Sequence, residues 1–219
     1  TTLYTQQFED IDNSVAQGTI YDYDVDYLAI SPYLHSDIEL TEDVTLSAGL
    51  RYDINEYQYT NNTDDGQYAA SSYSRPADRS DNYNHLSPKL ALNYALSEKA
   101  MVYARYANAF RVPSASRLYS LSTSNIDFSL APETSNTYEI GYKVDGQATD
   151  IEVALYYMDL ADTITRSDDR AYYYNGGTTI HKGLELSLKH DFNPQWSTKV
   201  AYSYSLHNFE NDAVYNDNE

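Results

Sequence analysis

Two Arg–Tyr pairs carry the side-chain chemistry best suited to recognising a ligand. In Ser114-Ala115-Ser116-Arg117-Leu118-Tyr119, just after Pro113, the spacing allows one helical turn. Arg117 would bring five N–H donors to an anion, and Tyr119 a flat face with a hydroxyl. Tyr73 and Arg75 repeat the pairing upstream. The plainer assignment is that these guanidinium groups only neutralise acidic surroundings. Catalysis has less to work with. The sequence holds no Cys, no G-x-S-x-G, no H-E-x-x-H and no G-x-x-x-x-G-K, and no nucleophile–base set is visible, so no enzyme is expected. His35, His85, His181, His190 and His207 do not pair at ligand spacing, so neither a metal site nor a cofactor is expected. Asp22-Tyr23-Asp24-Val25-Asp26 opens like a calcium loop, but Tyr27 and Tyr33 stand where that loop needs Gly and Glu.

Composition narrows the classes further. The chain has 219 residues, 14 Lys+Arg and 33 Asp+Glu, for a formal net charge of −19. Phosphate backbones need clustered cations, so a nucleic-acid partner is not expected. Hydrophobic residues make up 42%, which excludes wholesale disorder. No apolar run approaches the length of a membrane helix, and no charged and apolar leader opens the sequence. The 25 Tyr are the informative excess, because Tyr favours both strands and membrane–water interfaces. The mean hydropathy of −0.63 stays compatible with membrane-spanning strands, which alternate apolar and polar residues.

The elements that must position these residues are strands. Val44, Leu46, Ala48, Leu50 and Tyr52 alternate with Thr45, Ser47, Gly49, Arg51 and Asp53, giving two unlike faces. The alternation recurs around Leu28–Leu40, Leu90–Tyr94, Val102–Phe110, Tyr138–Val144, Ile151–Tyr157, Leu184–Leu188 and Val200–Leu206, about eight strands in all. Short polar turns at 41–43, 97–99, 145–147 and 191–194 alternate with longer connections near 59–84, 111–134 and 166–172. Periodicity alone does not separate a soluble sandwich from a membrane barrel. Strand length, the loop asymmetry and the flanking aromatics favour the barrel. Trp196 would lie at one interface, with Tyr57, Tyr59, Tyr73 and Tyr172-Tyr173-Tyr174 near the other. Pro113 should stop one strand, with Arg111 capping the rim, and Pro132-Glu133-Thr134-Ser135 should turn the chain back into the wall. Gly141 and Gly183 should allow close packing or a bend, and Asn175-Gly176-Gly177 a bulge or kink.

Several stretches then carry a family resemblance in order: His85-Leu86-Ser87-Pro88-Lys89-Leu90, Val102-Tyr103-Ala104-Arg105-Tyr106 with Phe110-Arg111-Val112-Pro113-Ser114, Pro132-Glu133-Thr134-Ser135 with Tyr138-Glu139-Ile140-Gly141-Tyr142-Lys143, and Asn175-Gly176-Gly177 with Lys182-Gly183-Leu184-Glu185-Leu186. Over about residues 27–207 the sequence resembles the β-barrel region of TonB-dependent outer-membrane receptors. The resemblance implies an all-β, antiparallel transmembrane barrel of about 22 strands, of which residues 1–219 would supply about eight. It implies a multi-pass protein of the Gram-negative outer membrane, bordered by lipid and lipopolysaccharide. It also implies import of a ferric siderophore or similar scarce nutrient, energised by the TonB complex through a plug domain. No plug-like segment, TonB-contacting box or terminal aromatic is recognisable here, so an internal piece of the larger barrel is expected. Arg117, Tyr119, Tyr73 and Arg75 would then be ligand-facing, unless the arginines only meet lipopolysaccharide phosphate. A passive porin or structural barrel, and a secreted β-sandwich for binding or adhesion, are the competing readings.

Overall fold

The computed structural model describes residues 2–5, 21–67, 74–122, 129–168 and 170–210. Its strands are β1 (Thr2–Thr5), β2 (Tyr23–Ile30), β3 (Tyr33–Glu39), β4 (Val44–Asn61), β5 (Gly66–Gln67), β6 (Ser74–Arg75), β7 (Arg79–Ser97), β8 (Ala100–Arg111), β9 (Glu133–Asp145), β10 (Thr149–Ala161), β11 (Ile164–Arg166), β12 (Tyr173–Asn175), β13 (Thr178–Asn193) and β14 (Trp196–Glu210). A single helical turn, α1 (Ala115–Leu118), follows β8. Ten strands form one antiparallel sheet in the order β1-β2-β4-β7-β8-β9-β10-β13-β14, with β3 also on β4. The two small pairs β5–β6 and β11–β12 stand apart in the connections.

β2 and β3 act as one strand. Ile30 faces Ile54 and Tyr33 faces Arg51, so both keep the same register against β4. Pro32 lacks an N–H and interrupts the ladder, yet its carbonyl still accepts from Tyr52 N at 3.0 Å. The wall therefore has the eight long strands legible in the sequence, plus β1 at the edge. Every β-hairpin turn at one end is tight, and the turns are stitched side by side: Ala95 N donates to Asp43 O, Asp145 N to Lys99 O and Asp191 N to Ala148 O, each at 2.8 Å.

The two faces are unlike, as alternation requires. Ala104, Ile140, Leu155, Leu184 and Tyr204 lie side by side across β8, β9, β10, β13 and β14. Ile140, Leu155 and Tyr204 are 58%, 50% and 52% exposed, and among the described residues no second sheet covers them. A sandwich would bury this row, whereas a barrel gives it to lipid. The other face carries ion pairs. Arg51 holds Asp53 at 2.5 Å, with Ser31 Oγ donating to the same carboxylate at 2.6 Å. Arg105 holds Glu139 at 2.6 Å, and Tyr103 donates to it at 2.8 Å.

Glycine makes room on this inner face. Gly141 lies directly opposite Tyr103, and a Cβ there would fall 2.3 Å from the ring. Gly183 lies opposite Tyr156, and a Cβ there would fall 2.5 Å from the Tyr204 backbone oxygen and 2.8 Å from the Tyr156 ring. Gly141→Val in the complete protein should expel Tyr103 and break its bond to Glu139, costing about 1–3 kcal/mol. Urea unfolding in detergent reads this loss, and adding Tyr103→Ala should recover much of it. A single variant as stable as the parent would refute the packing.

Two expectations need correction. The connection placed near 59–84 is shorter, because β4 continues to Asn61 and β7 starts at Arg79. Above the apolar belt, outward residues such as Glu56, Gln58, Asn82 and Asn84 turn polar, so the alternation fades although pairing persists. Tyr57 and Tyr59 are not interfacial rings either. They share the inward row of Asp53 and are only 6% and 1% exposed. Trp196, by contrast, is 72% exposed beside a tight turn, where an interfacial ring belongs.

Candidate functional site

Above the wall, the inward tyrosines hold the connection between β8 and β9. Tyr23, Val25, Tyr57 and Tyr59 form a buried cluster with Leu118, Tyr119, Leu130 and Ile164. The connection is pinned near both ends: Tyr57 Oη donates to Pro113 O at 3.2 Å and Tyr83 Oη to Leu130 O at 3.1 Å. Between them α1 forms, with Ser114 O accepting from Arg117 N at 2.9 Å and from Leu118 N at 3.0 Å. The helical turn expected after Pro113 is thus present.

Tyr119 anchors this turn from below. Its ring stacks on Tyr59 with centroids 4.5 Å apart, meets Tyr57 edge-on, and lies 5.9 Å from the Arg79 guanidinium carbon. Its hydroxyl donates to Asp81 Oδ2 at 3.0 Å. Burial first, and the Asp81 carboxylate second, push this phenol well above its ordinary pKa, so it stays a neutral donor. At 2% exposure, its face and hydroxyl are taken up by the fold instead of being presented to solvent.

Arg117 projects from α1 towards the connection between β10 and β13, its guanidinium carbon 5.8 Å from the centroid of Tyr173 on β12. Arg166 on β11 approaches the same ring at 5.6 Å. Arg75 sits on β6, with Nη1 donating to Asp64 O at 3.4 Å, away from Arg117 in the chain but tied to the same region, since Ser74 N donates to Leu121 O at 2.6 Å. Tyr73 lies outside the described residues.

The sequence reading missed what joins the two connections. Glu133, read as part of a turn, opens β9, is 3% exposed and ion-pairs with Arg111. Its Oε1 also accepts from Ile164 N at 2.7 Å. Asn175, read as part of a bulge, works as a clasp. Its Nδ2 donates to Ala131 O at 3.0 Å and Asp162 O at 2.8 Å, and its Oδ1 accepts from Ala131 N at 2.8 Å. Only the Asn-Gly-Gly composition hinted at special geometry there. The histidines also pair after all: His181 and His207 face each other on β13 and β14, Nδ1 to Nδ1 2.5 Å, although they lie far apart in sequence. Among the described residues no group of three or more metal-ligating side chains converges.

These features fit what comparison with other proteins finds. The chain is 30% identical over 136 residues to the hemophilin receptor of Acinetobacter baumannii, covering 56% of this chain and 12% of that protein. It is 25% identical over 190 residues to the catecholate siderophore receptor Fiu of Escherichia coli, covering 78% of this chain and 25% of the relative. The crystal structure of the Escherichia coli ferric-catecholate import receptor Fiu in its closed form superposes with a TM-score of 0.65 at 21% identity, over 90% of this chain and 30% of that one. The chain thus spans a quarter or less of the length of these two relatives. Its strand order, outward apolar belt and pinned loop cluster are those of a segment of barrel wall, and the sequence model of the TonB dependent receptor-like β-barrel matches residues 2–219: the chain belongs to that family.

Proposed function

We propose that this chain supplies wall and ligand-facing loops to an outer-membrane active-transport receptor for a ferric siderophore or a similarly scarce nutrient. In this reading the outward belt meets lipid, with lipopolysaccharide at its upper edge. The TonB complex acts on a plug domain carried elsewhere in the protein. The observation that carries the reading is family membership over nearly the whole chain, joined to a loop cluster packed on the inward face. Arg117 and Arg75 would meet the ligand, Tyr119 would hold α1 beneath them, and Tyr73 would accompany Arg75. No step of this transport needs bond-making chemistry by the chain.

Uptake of radiolabelled iron, offered to cells as catecholate, hydroxamate and haem complexes, tests the proposal. Deleting the complete receptor, or deleting TonB while the receptor remains, should abolish uptake of at least one of these complexes. Receptor-dependent uptake that persists without TonB would mean a passive channel and overturn the reading.

A further inference from the structure

We infer that His181, His207 and Met158 form a site for a free d-block cation, copper above all, on the inner side of the wall. The carrying observation is a meeting of two imidazoles. His181 on β13 and His207 on β14 stand directly opposite each other in the ladder, with ring centroids 4.7 Å apart, planes at 69° and Nδ1 facing Nδ1 at 2.5 Å. Each ring is also tied at its other nitrogen. Thr179 Oγ1 lies 2.9 Å from His181 Nε2, and Ser205 Oγ lies 3.1 Å from His207 Nε2. With the two hydroxyls accepting from Nε2–H, both Nδ1 atoms turn lone pairs towards each other. Lone pairs at that distance repel, and a cation shared between them removes the repulsion. A hydrogen bond at the remote nitrogen is also what holds a metal-bound imidazole in its tautomer and orientation.

Among the described residues no third His, Cys, Asp or Glu joins the pair. The next position in the same row is a thioether instead. Met158 on β10, one of two methionines in the sequence, is paired directly with His181. Alternation puts all three side chains on the inward face, because Leu184 and Tyr204 point outward and Tyr156 inward. Directly opposed residues on neighbouring strands have Cβ atoms about 4.5–5.5 Å apart, so one sulfur and two imidazoles follow each other across β10, β13 and β14. Imidazole suits copper and zinc alike, whereas a thioether selects Cu(I). A metal at about 2.0–2.1 Å from each nitrogen would part the two Nδ1 atoms to roughly 3.3 Å, a small rotation for rings that are not buried. Ca²⁺ and Mg²⁺ prefer oxygen donors and should not compete. The ligand here is an ion without a chelate, so the site requires the inward face of the wall but not the transport reading above.

Metal titration of the purified full-length receptor in detergent tests the site, with Zn²⁺, Ca²⁺ and, under anaerobic reducing conditions, Cu(I) as probes. The parent should bind one more equivalent of Cu(I) and of Zn²⁺ than a His181→Asn/His207→Asn double variant, with no such difference for Ca²⁺. His190→Asn, on the same strand towards its other end, should match the parent. Met158→Leu should weaken Cu(I) binding about tenfold or more while leaving Zn²⁺ affinity unchanged. Thr179→Val should weaken binding of both about tenfold. Heat-modifiability checks that each variant assembles, and if the double variant does not, His207→Asn alone gives the same reading. Equal metal uptake by the parent and the histidine variant would mean that the pair shares only a proton, and would overturn the site. Parental Cu(I) affinity in Met158→Leu would overturn the assignment of copper. Because the titration uses neither TonB nor a chelate, its failure leaves the transport reading standing, and failure of transport leaves the metal site standing.

Discussion

Ile140→Arg in the complete receptor is expected to block assembly, while Ser187→Arg is expected to leave it intact. Ile140 lies in the outward belt, 58% exposed, with Ala104 and Leu155 directly beside it on β8 and β10. An arginine at the bilayer midplane costs about 2–4 kcal/mol, and Ala104 and Leu155 directly beside it offer no carboxylate. Ser187 faces inward on β13, opposite Glu152, so a cation there gains a carboxylate and stays in water. The amount of protease-resistant, heat-modifiable receptor recovered from membranes measures both. Equal recovery of the two variants would reverse the assignment of faces. The same experiment separates the barrel from a soluble sandwich, in which Ile140 would instead sit under a second sheet.

Expressed alone, residues 1–219 are expected to aggregate in detergent and not to yield a closed, monodisperse barrel. Among the described residues the sheet has a beginning and an end: β14 pairs only with β13, and β3 only with β4. Each free edge presents a row of backbone N–H and C=O groups, and every such group left unsatisfied in lipid costs several kcal/mol. Closing the eight long strands on themselves would demand a tighter curvature than a wall of about 22 strands imposes. Size-exclusion chromatography and heat-modifiability check this. A stable, heat-modifiable monomer would mean that these strands close a small barrel by themselves.

How far the loops depend on the wall can be seen residue by residue. Period-two alternation determined the wall strands and which side chains face out, because a strand sends successive side chains to opposite faces whatever it pairs with. The tight turns at one end were equally legible, since a two- to four-residue polar break between such strands leaves few alternatives. The ordered residues from Ser87-Pro88 to Lys182-Gly183 determined the family. Where lipid no longer demands an apolar row, the pattern failed: β4 and β7 run on above the belt, and Tyr57 and Tyr59 turned out to line the interior. The helical turn after Pro113 was legible, but the contacts that build the site were decided by tertiary structure. Asp81 claims the hydroxyl of Tyr119, Glu133 and Asn175 bind connections that are separated in sequence, and Arg117 and Arg166 approach the same Tyr173 ring from different connections. Side-chain hydrogen bonds and charge pairs between connections leave no periodic trace in a sequence. Their partners are set by how the long strands bring the chain back to the same rim.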